Sequence, residues 1–179
     1  MTDTTNPTDG GSTATDDGST ATDGGSTEKE LGEPPEDSDD TTVLTFMCVR
    51  NAGRSQMATA FAERERDRRG LGDRVEIVTG GTMPADSVHE VVIEALAEVG
   101  LDVNGRQPQH VSDETLAASD FVATMGCSTL ELDGVDTDDW DLDDPGEQPI
   151  EAVRPIRDEI ERRVIALFDE RFGAYDGER

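Results

Sequence analysis

The sequence predicts an α/β fold in three layers, a parallel sheet covered on both faces by helices. Two observations predict it. Short, nearly continuous apolar runs alternate along the chain with longer segments whose apolar residues recur at helical spacing, the pattern of strand–helix–strand units. The runs lack polar alternation, so their strands have no solvent-facing side, as in a parallel sheet. The length, 179 residues, suits one domain with a tail and suffices to bury a core.

The domain opens with Thr42-Val-Leu-Thr-Phe-Met47, a buried strand. A loop follows, and then a helix over Gln56–Arg68, with Met57, Ala60, Phe61 and Arg64 on one face and Gly70 and Gly72 ending it. Val75–Thr79 is the second strand, ended by Gly80-Gly81. Val88–Val99 is a second helix, with Val88, Val91, Val92, Ala95, Leu96 and Val99 on one stripe and Gly100 closing it. Ser112-Asp-Glu-Thr115 is a capped helix start. Phe121–Met125 is the third strand, and 127–146 is expected to be an acidic loop. A last helix carries Val153, Ile156, Ile160, Val164, Leu167 and Phe168, with Pro155 tolerable only near its first turn.

Residues 1–40 stand apart from the domain of 41–179. They hold twelve acids, one base and almost no large apolar residue, and they repeat Gly-Ser-Thr-Ala-Thr-Asp. Such a segment cannot supply a core and is expected to be a disordered, solubilising tail. The whole chain carries a formal net charge of −27, with 42 acids against 15 bases. Lys29 is the single lysine, and the other bases are arginines. This excludes nucleic acid and anionic membrane surfaces as partners, since both demand a basic patch. Acid in such excess, with so little lysine, resembles the salt-adapted proteins of halophilic archaea, whose carboxylates are screened at molar salt. The first thirty residues lack a secretory signal, and no run approaches the ~20 apolar residues that span a bilayer. Two cysteines, Cys48 and Cys127, are too few for a disulfide framework. A reducing cytoplasm is the expected compartment.

The chemistry is carried between the first strand and the first helix, in Cys48-Val-Arg-Asn-Ala-Gly-Arg54-Ser55. This spacing builds an oxyanion cradle. The amides of Val49, Arg50, Asn51, Ala52, Gly53 and Ser55 turn inward, and the helix N-terminus adds its partial positive charge. A thiol at the head of such a loop is stabilised as thiolate. Arg54 holds two oxygens of a tetrahedral oxyanion through its planar fork. Ser55 reaches the Cys48 sulfur, Gly53 permits the tight turn, and Arg50 adds positive charge. The site therefore suits a phosphate-like dianion beside a nucleophilic sulfur. Cys127 follows the third strand at its C-terminal end, the edge where ligands gather in open parallel sheets.

From about Val43 to Phe168 the chain resembles the low-molecular-weight protein tyrosine phosphatase superfamily, and within it the arsenate reductases. The resemblance rests on Cys48 to Ser55 and its continuation to Ala58, Thr79-Gly-Gly-Thr-Met-Pro84, Ala95 to Asp102, and Val122-Ala-Thr-Met-Gly-Cys127. Trp140-Asp-Leu-Asp-Asp-Pro145 and Val153 to Ile160 complete it. It implies a four-stranded parallel sheet. It also implies that Asp144, of the Asp144-Pro145 pair, is the general acid, with Asp143 its neighbour.

Phosphatase and reductase share attack by the thiolate and then diverge. A reductase needs a second thiol to break the cysteine–arsenic adduct, and the resemblance gives that role to Cys127. Gln56-Met57 after Arg54-Ser55, the lack of an aromatic residue after Asp144-Pro145, and Trp140-Asp-Leu142 all look like the reductases. Glu131 and Leu132 stand where many reductases have a further Cys-Pro, so a three-cysteine relay is excluded by count. Asn51 matches a potassium-binding position of some relatives, but Thr59 replaces an acidic ligand there, so no metal site is assigned and no bound cofactor is expected. The expected function is thiol-dependent reduction of arsenate to arsenite, restored by thioredoxin, glutaredoxin or a low-molecular-weight thiol. The alternative is a phosphatase of phosphotyrosine or small aryl phosphates.

Overall fold

A computed structural model describes residues 41–127 and 132–177. The expected tail of 1–40, and Glu131 with its neighbours 128–130, lie outside the described residues. Four strands, β1 (Thr42–Cys48), β2 (Val75–Gly81), β3 (Phe121–Met125) and β4 (Asp136–Asp139), form one sheet in the order β2-β1-β3-β4. Every pairing is parallel. The helices are α1 (Arg54–Arg68), α2 (Glu90–Ala97), α3 (Asp113–Ala117) and α4 (Ile150–Phe172).

β1 lies at the centre, and Leu44 to Cys48 are all buried, as its unbroken apolar run requires. Alternate residues serve opposite faces. Leu44, Phe46 and Cys48 join the main core with Met57 and Phe61 of α1, Val92 and Leu96 of α2, and Val153, Ile160, Val164 and Phe168 of α4. Met47 points the other way, toward Val111, Leu116 of α3 and Val122, with Cys127 packed against that cluster. Both faces are therefore covered, and the three-layer expectation holds. Outside the sheet, Arg64 to Glu161 (2.6 Å) and Arg69 to Asp169 (2.7 Å) tie α1 to α4.

The chain leaves β1 for β2 on one side and then crosses to β3 on the other, so the strand order reverses at β1. The C-terminal ends of β1 and β3 flank that switch point, where doubly wound sheets bind ligands. Cys48 is in register with Gly81 of β2 and with Met125 of β3. Cys127 follows two residues beyond Met125. Thus the two cysteines emerge from adjacent strands at the same edge.

Three local expectations need correction. The acidic stretch of 127–146 is not all loop, because Asp136–Asp139 is the edge strand β4. Its four side chains are exposed, so no apolar period marks it; backbone pairing to β3 makes it a strand. The second helix starts at Glu90, because the His89 backbone is extended at the N-cap. Pro155 sits in the second turn of α4, and the helix runs on to Phe172. Pro155 and Glu151, one turn before it, are exposed, so water can satisfy the carbonyl that loses its amide partner. Among the described residues no helix is long and apolar enough to cross a membrane.

Candidate active site

The loop after β1 wraps around the Cys48 sulfur. The Asn51 backbone N–H donates to Cys48 Sγ at 3.1 Å, and Sγ shares a 3.0 Å hydrogen bond with Ser55 Oγ. Asn51 Nδ2 donates to that same Ser55 Oγ at 2.8 Å. The hydroxyl already accepts there, so its single proton is free to point at the sulfur. Two hydrogen bonds thus fix the sulfur at the mouth of the loop. Cys48 is 3% exposed, so little water competes for these bonds.

Asn51 is the hub that holds the loop. Its φ is +49°, a left-handed conformation that asparagine tolerates better than most residues. Its side chain is saturated. Nδ2 donates to Ser55 Oγ and to Thr79 Oγ1, each at 2.8 Å. Oδ1 accepts from the Gln109 backbone N–H at 3.0 Å and from Gln56 Nε2 at 3.1 Å. Gly81 supports the loop from β2, where a Cβ would lie 2.7 Å from the Val49 carbonyl oxygen. α1 then starts at Arg54, with no side chain capping its N-terminus. Its first amides therefore remain available to an anion.

Arg54 reaches across the site to the loop after β4. Nη1 donates to the Leu142 carbonyl at 2.9 Å, and Nη2 lies 3.5 Å from Asp144 Oδ2. The guanidinium is 11% exposed and Asp144 is 59% exposed. Below it lies Gly126, whose φ of +75° favours glycine and where a Cβ, 2.7 Å from Nη1, would push the guanidinium out of place. Asp144 Oδ1 accepts from the Gly146 N–H at 2.9 Å, in a turn closed by the carboxylate itself. Pro145 is buried against Gly53, where a Cβ would meet its Cγ at 2.7 Å. The Asp144 loop therefore docks on the Cys48 loop through a glycine–proline contact. Asp143 is exposed.

Cys127 is half-buried, and both cysteines are free thiols. The Cys127 thiol is directed at the carbonyl of Met47, the residue preceding Cys48, at 3.8 Å. Burial pushes its pKa up, and the charges of Cys48 and Asp139 add to that rise against an opposing Met125 backbone hydrogen bond and the Arg54 charge. The Cys127 thiol is therefore held protonated more strongly than a free one, with Cys48 close enough to contribute.

The structure thus gathers Cys48, Asn51, Gly53, Arg54, Ser55, Cys127 and Asp144 around one edge of the sheet. Val49 and Ala52 complete the loop backbone. Arg50 is exposed; its carbonyl accepts from the Ala85 N–H. Sequence reasoning gave no role to Thr79, Gln56, Gln109 or His89. Thr79 and Gln56 stood inside quoted motifs without an assigned contact, and Gln109 has no sequence signal, because it reaches Asn51 through its backbone amide.

Fold and site together define a class, an α/β protein with a cysteine at the head of an anion-binding loop and a second cysteine beside it. The chain belongs to the low molecular weight phosphotyrosine protein phosphatase family, whose sequence profile matches residues 43–174. A Halobacterium salinarum protein named "Putative arsenate reductase" is 62% identical over 135 residues, covering 74% of this chain and 95% of the relative. The "Glutaredoxin arsenate reductase" of Synechocystis sp. is 32% identical over 131 residues, covering 69% and 94%. Among solved structures, a thioredoxin-dependent arsenate reductase of Corynebacterium glutamicum aligns with a TM-score of 0.61 at 33% identity. That alignment covers 74% of this chain and 63% of the other, so this chain spans less than two thirds of that structure.

Proposed function

We propose that this protein is a thiol-dependent arsenate reductase with Cys48 as nucleophile. The observation that carries the reading is the pair of cysteines at one sheet edge. One sulfur accepts hydrogen bonds inside an anion cradle, and the other is aimed at the backbone beside it. Hydrolysis of an aryl phosphate needs only the first, and the named reductases among the relatives leave the phosphatase alternative unfavoured.

Arsenate enters the loop with its oxygens on the amides of 49–55 and on the Arg54 fork. The Cys48 thiolate attacks arsenic, an As–O bond breaks, and Asp144 gives its proton to the departing oxygen, which leaves as water. The Cys127 thiolate then attacks the Cys48 sulfur. The S–As bond breaks with its electron pair staying on arsenic. Arsenic(V) becomes arsenic(III), and the two sulfurs are oxidised to a disulfide. An external thiol, thioredoxin, glutaredoxin or a low-molecular-weight thiol, reduces that disulfide. The reading places the enzyme in a reducing cytoplasm, and its acidic surface makes molar salt its natural medium.

The test is arsenite formation in molar KCl with a dithiol reductant. Wild type is expected to turn over, and Cys48→Ser to lose all activity. Rapid hydrolysis of p-nitrophenyl phosphate with no arsenite would replace the reading with that of a phosphatase.

A further inference from the structure

We propose that His89 positions the Asp144 carboxyl for proton transfer. This rests on the reading of Asp144 as proton donor. Asp144 stands on an exposed loop and needs to be held. Its Oδ1 accepts from the Gly146 N–H, and its Oδ2 faces Arg54. Once an oxyanion occupies the cradle, the Arg54 fork turns to that ligand, and its hold on Asp144 is shared away.

His89 lies on the other side of the carboxyl. Its backbone is fixed at the N-cap of α2, where its N–H donates to the Ala52 carbonyl of the Cys48 loop at 3.0 Å. Its partly buried ring is wedged between two glycines, one in each loop. A Cβ on Gly53 would lie 3.6 Å from His89 Cδ2. A Cβ on Gly146 would lie 2.9 Å from His89 Nε2 and 3.2 Å from Asp144 Oδ1. The imidazole nitrogen and the carboxyl oxygen thus flank one point, at a separation that a single water or a small turn of either side chain bridges. The Gly146 amide donates to Oδ1, and the imidazole stands where it can add a second hydrogen bond to that oxygen, which leaves Oδ2, the oxygen on the Arg54 side, to face the substrate. The two glycines keep open the slot that the ring fills.

The experiment is a double-mutant cycle of His89→Ala and Asp144→Asn, read in molar KCl with arsenate and with p-nitrophenyl phosphate. His89→Ala is expected to lower kcat about tenfold, a fraction of what a general acid contributes, with KM little changed. His89→Gln, which keeps a donor at similar reach, is expected to restore most of the loss. In the Asp144→Asn background, His89→Ala is expected to cost nothing further. Gly146→Ala, which puts a methyl group 2.9 Å from His89 Nε2, is expected to lower kcat by displacing the ring while the histidine itself is kept. An unchanged kcat in a folded His89→Ala, or an equal loss with and without Asp144, would overturn the proposal. Failure of the reductase reading is distinguishable. Wild type would then form no arsenite, while the cycle remains readable on the phosphoester, whose cleavage calls on the same acid.

Discussion

The loop from Cys48 to Ser55 and the segment from Asp136 to Pro145 face one another across the site but are built from opposite materials. In the first, Asn51 and Ser55 are fully buried and Cys48 nearly so, and the Asn51 side chain uses every hydrogen-bonding position it has on protein atoms. In the second, the strand is an exposed edge of four polar residues, and Asp144 is mostly in water. Its described anchors are spread along the strand and the loop after it: backbone pairing to β3, Arg171 on Asp136, Thr124 on Asp139, Trp140 against Phe46, Leu142 on Arg54, and Pro145 on Gly53. The difference teaches how labour divides at this site. The proposed anion cradle is held by buried hydrogen bonds, whereas the proposed proton donor and the second thiol are supplied from an exposed edge strand and its flanks.

Substitutions on the two sides should therefore fail differently. The largest effect is expected from Cys127→Ser, which should abolish arsenite turnover with a protein reductant while leaving folding and oxyanion binding intact. Full turnover in that variant would remove Cys127 from the reaction. Asp144→Asn is expected to lower kcat about 100-fold, at the lower end of general-acid contributions, and Asp143→Asn is the control expected to leave kcat unchanged. Equal losses in both would show that the acid has been misassigned.

On the buried side the expected loss is in stability. Asn51→Ala leaves buried partners unpaired and places alanine at positive φ, costing about 2–4 kcal/mol, measured by denaturant unfolding in molar KCl. A loss confined to activity would contradict the idea that Asn51 holds the loop.

The pH dependence separates the two cysteines. The raised pKa of Cys127 means that its thiolate fraction is small at neutral pH and grows about tenfold per pH unit below that pKa. Disulfide formation in a single turnover should accelerate on raising the pH through the ordinary thiol range. A pH-independent rate would show that deprotonation of Cys127 is not limiting.

The smallest expected effect lies far from both regions. Hydrogen bonding to Arg154 holds the Glu98 pKa down at about 2, with Arg157 adding to it. A folded pKa below the unfolded value gives stability that is present above the ordinary glutamate range and is lost as pH falls toward about 2. Glu98→Gln should flatten the acid limb of the stability curve slightly, and less in molar salt, since the pair is solvated.

Much of this molecule was legible in its residues. β1 and β3 carry their burial in composition, and Cys48-x5-Arg54-Ser55 between a strand and a helix leaves little choice of chemistry. β4 was hidden because Asp-Thr-Asp-Asp advertises nothing; its identity is a property of β3, which pairs with it. His89 was hidden for a similar reason. Nothing near it in sequence is catalytic, and only the docking of Pro145 and Gly146 brings the Asp144 loop to its ring.

By itself the sequence determined the fold class and the acidity and singled out the candidate nucleophile and its loop, because each is written in neighbouring residues whose periodicity or spacing acts locally. Only the tertiary structure decided which residues hold Asn51, where Arg54 rests, that the Cys127 thiol meets the Met47 carbonyl, and that His89 stands beside Asp144. Those contacts join residues far apart in the chain. They exist because parallel strands in the order β2-β1-β3-β4 bring their C-terminal ends together, a consequence of backbone pairing that no local run of side chains records.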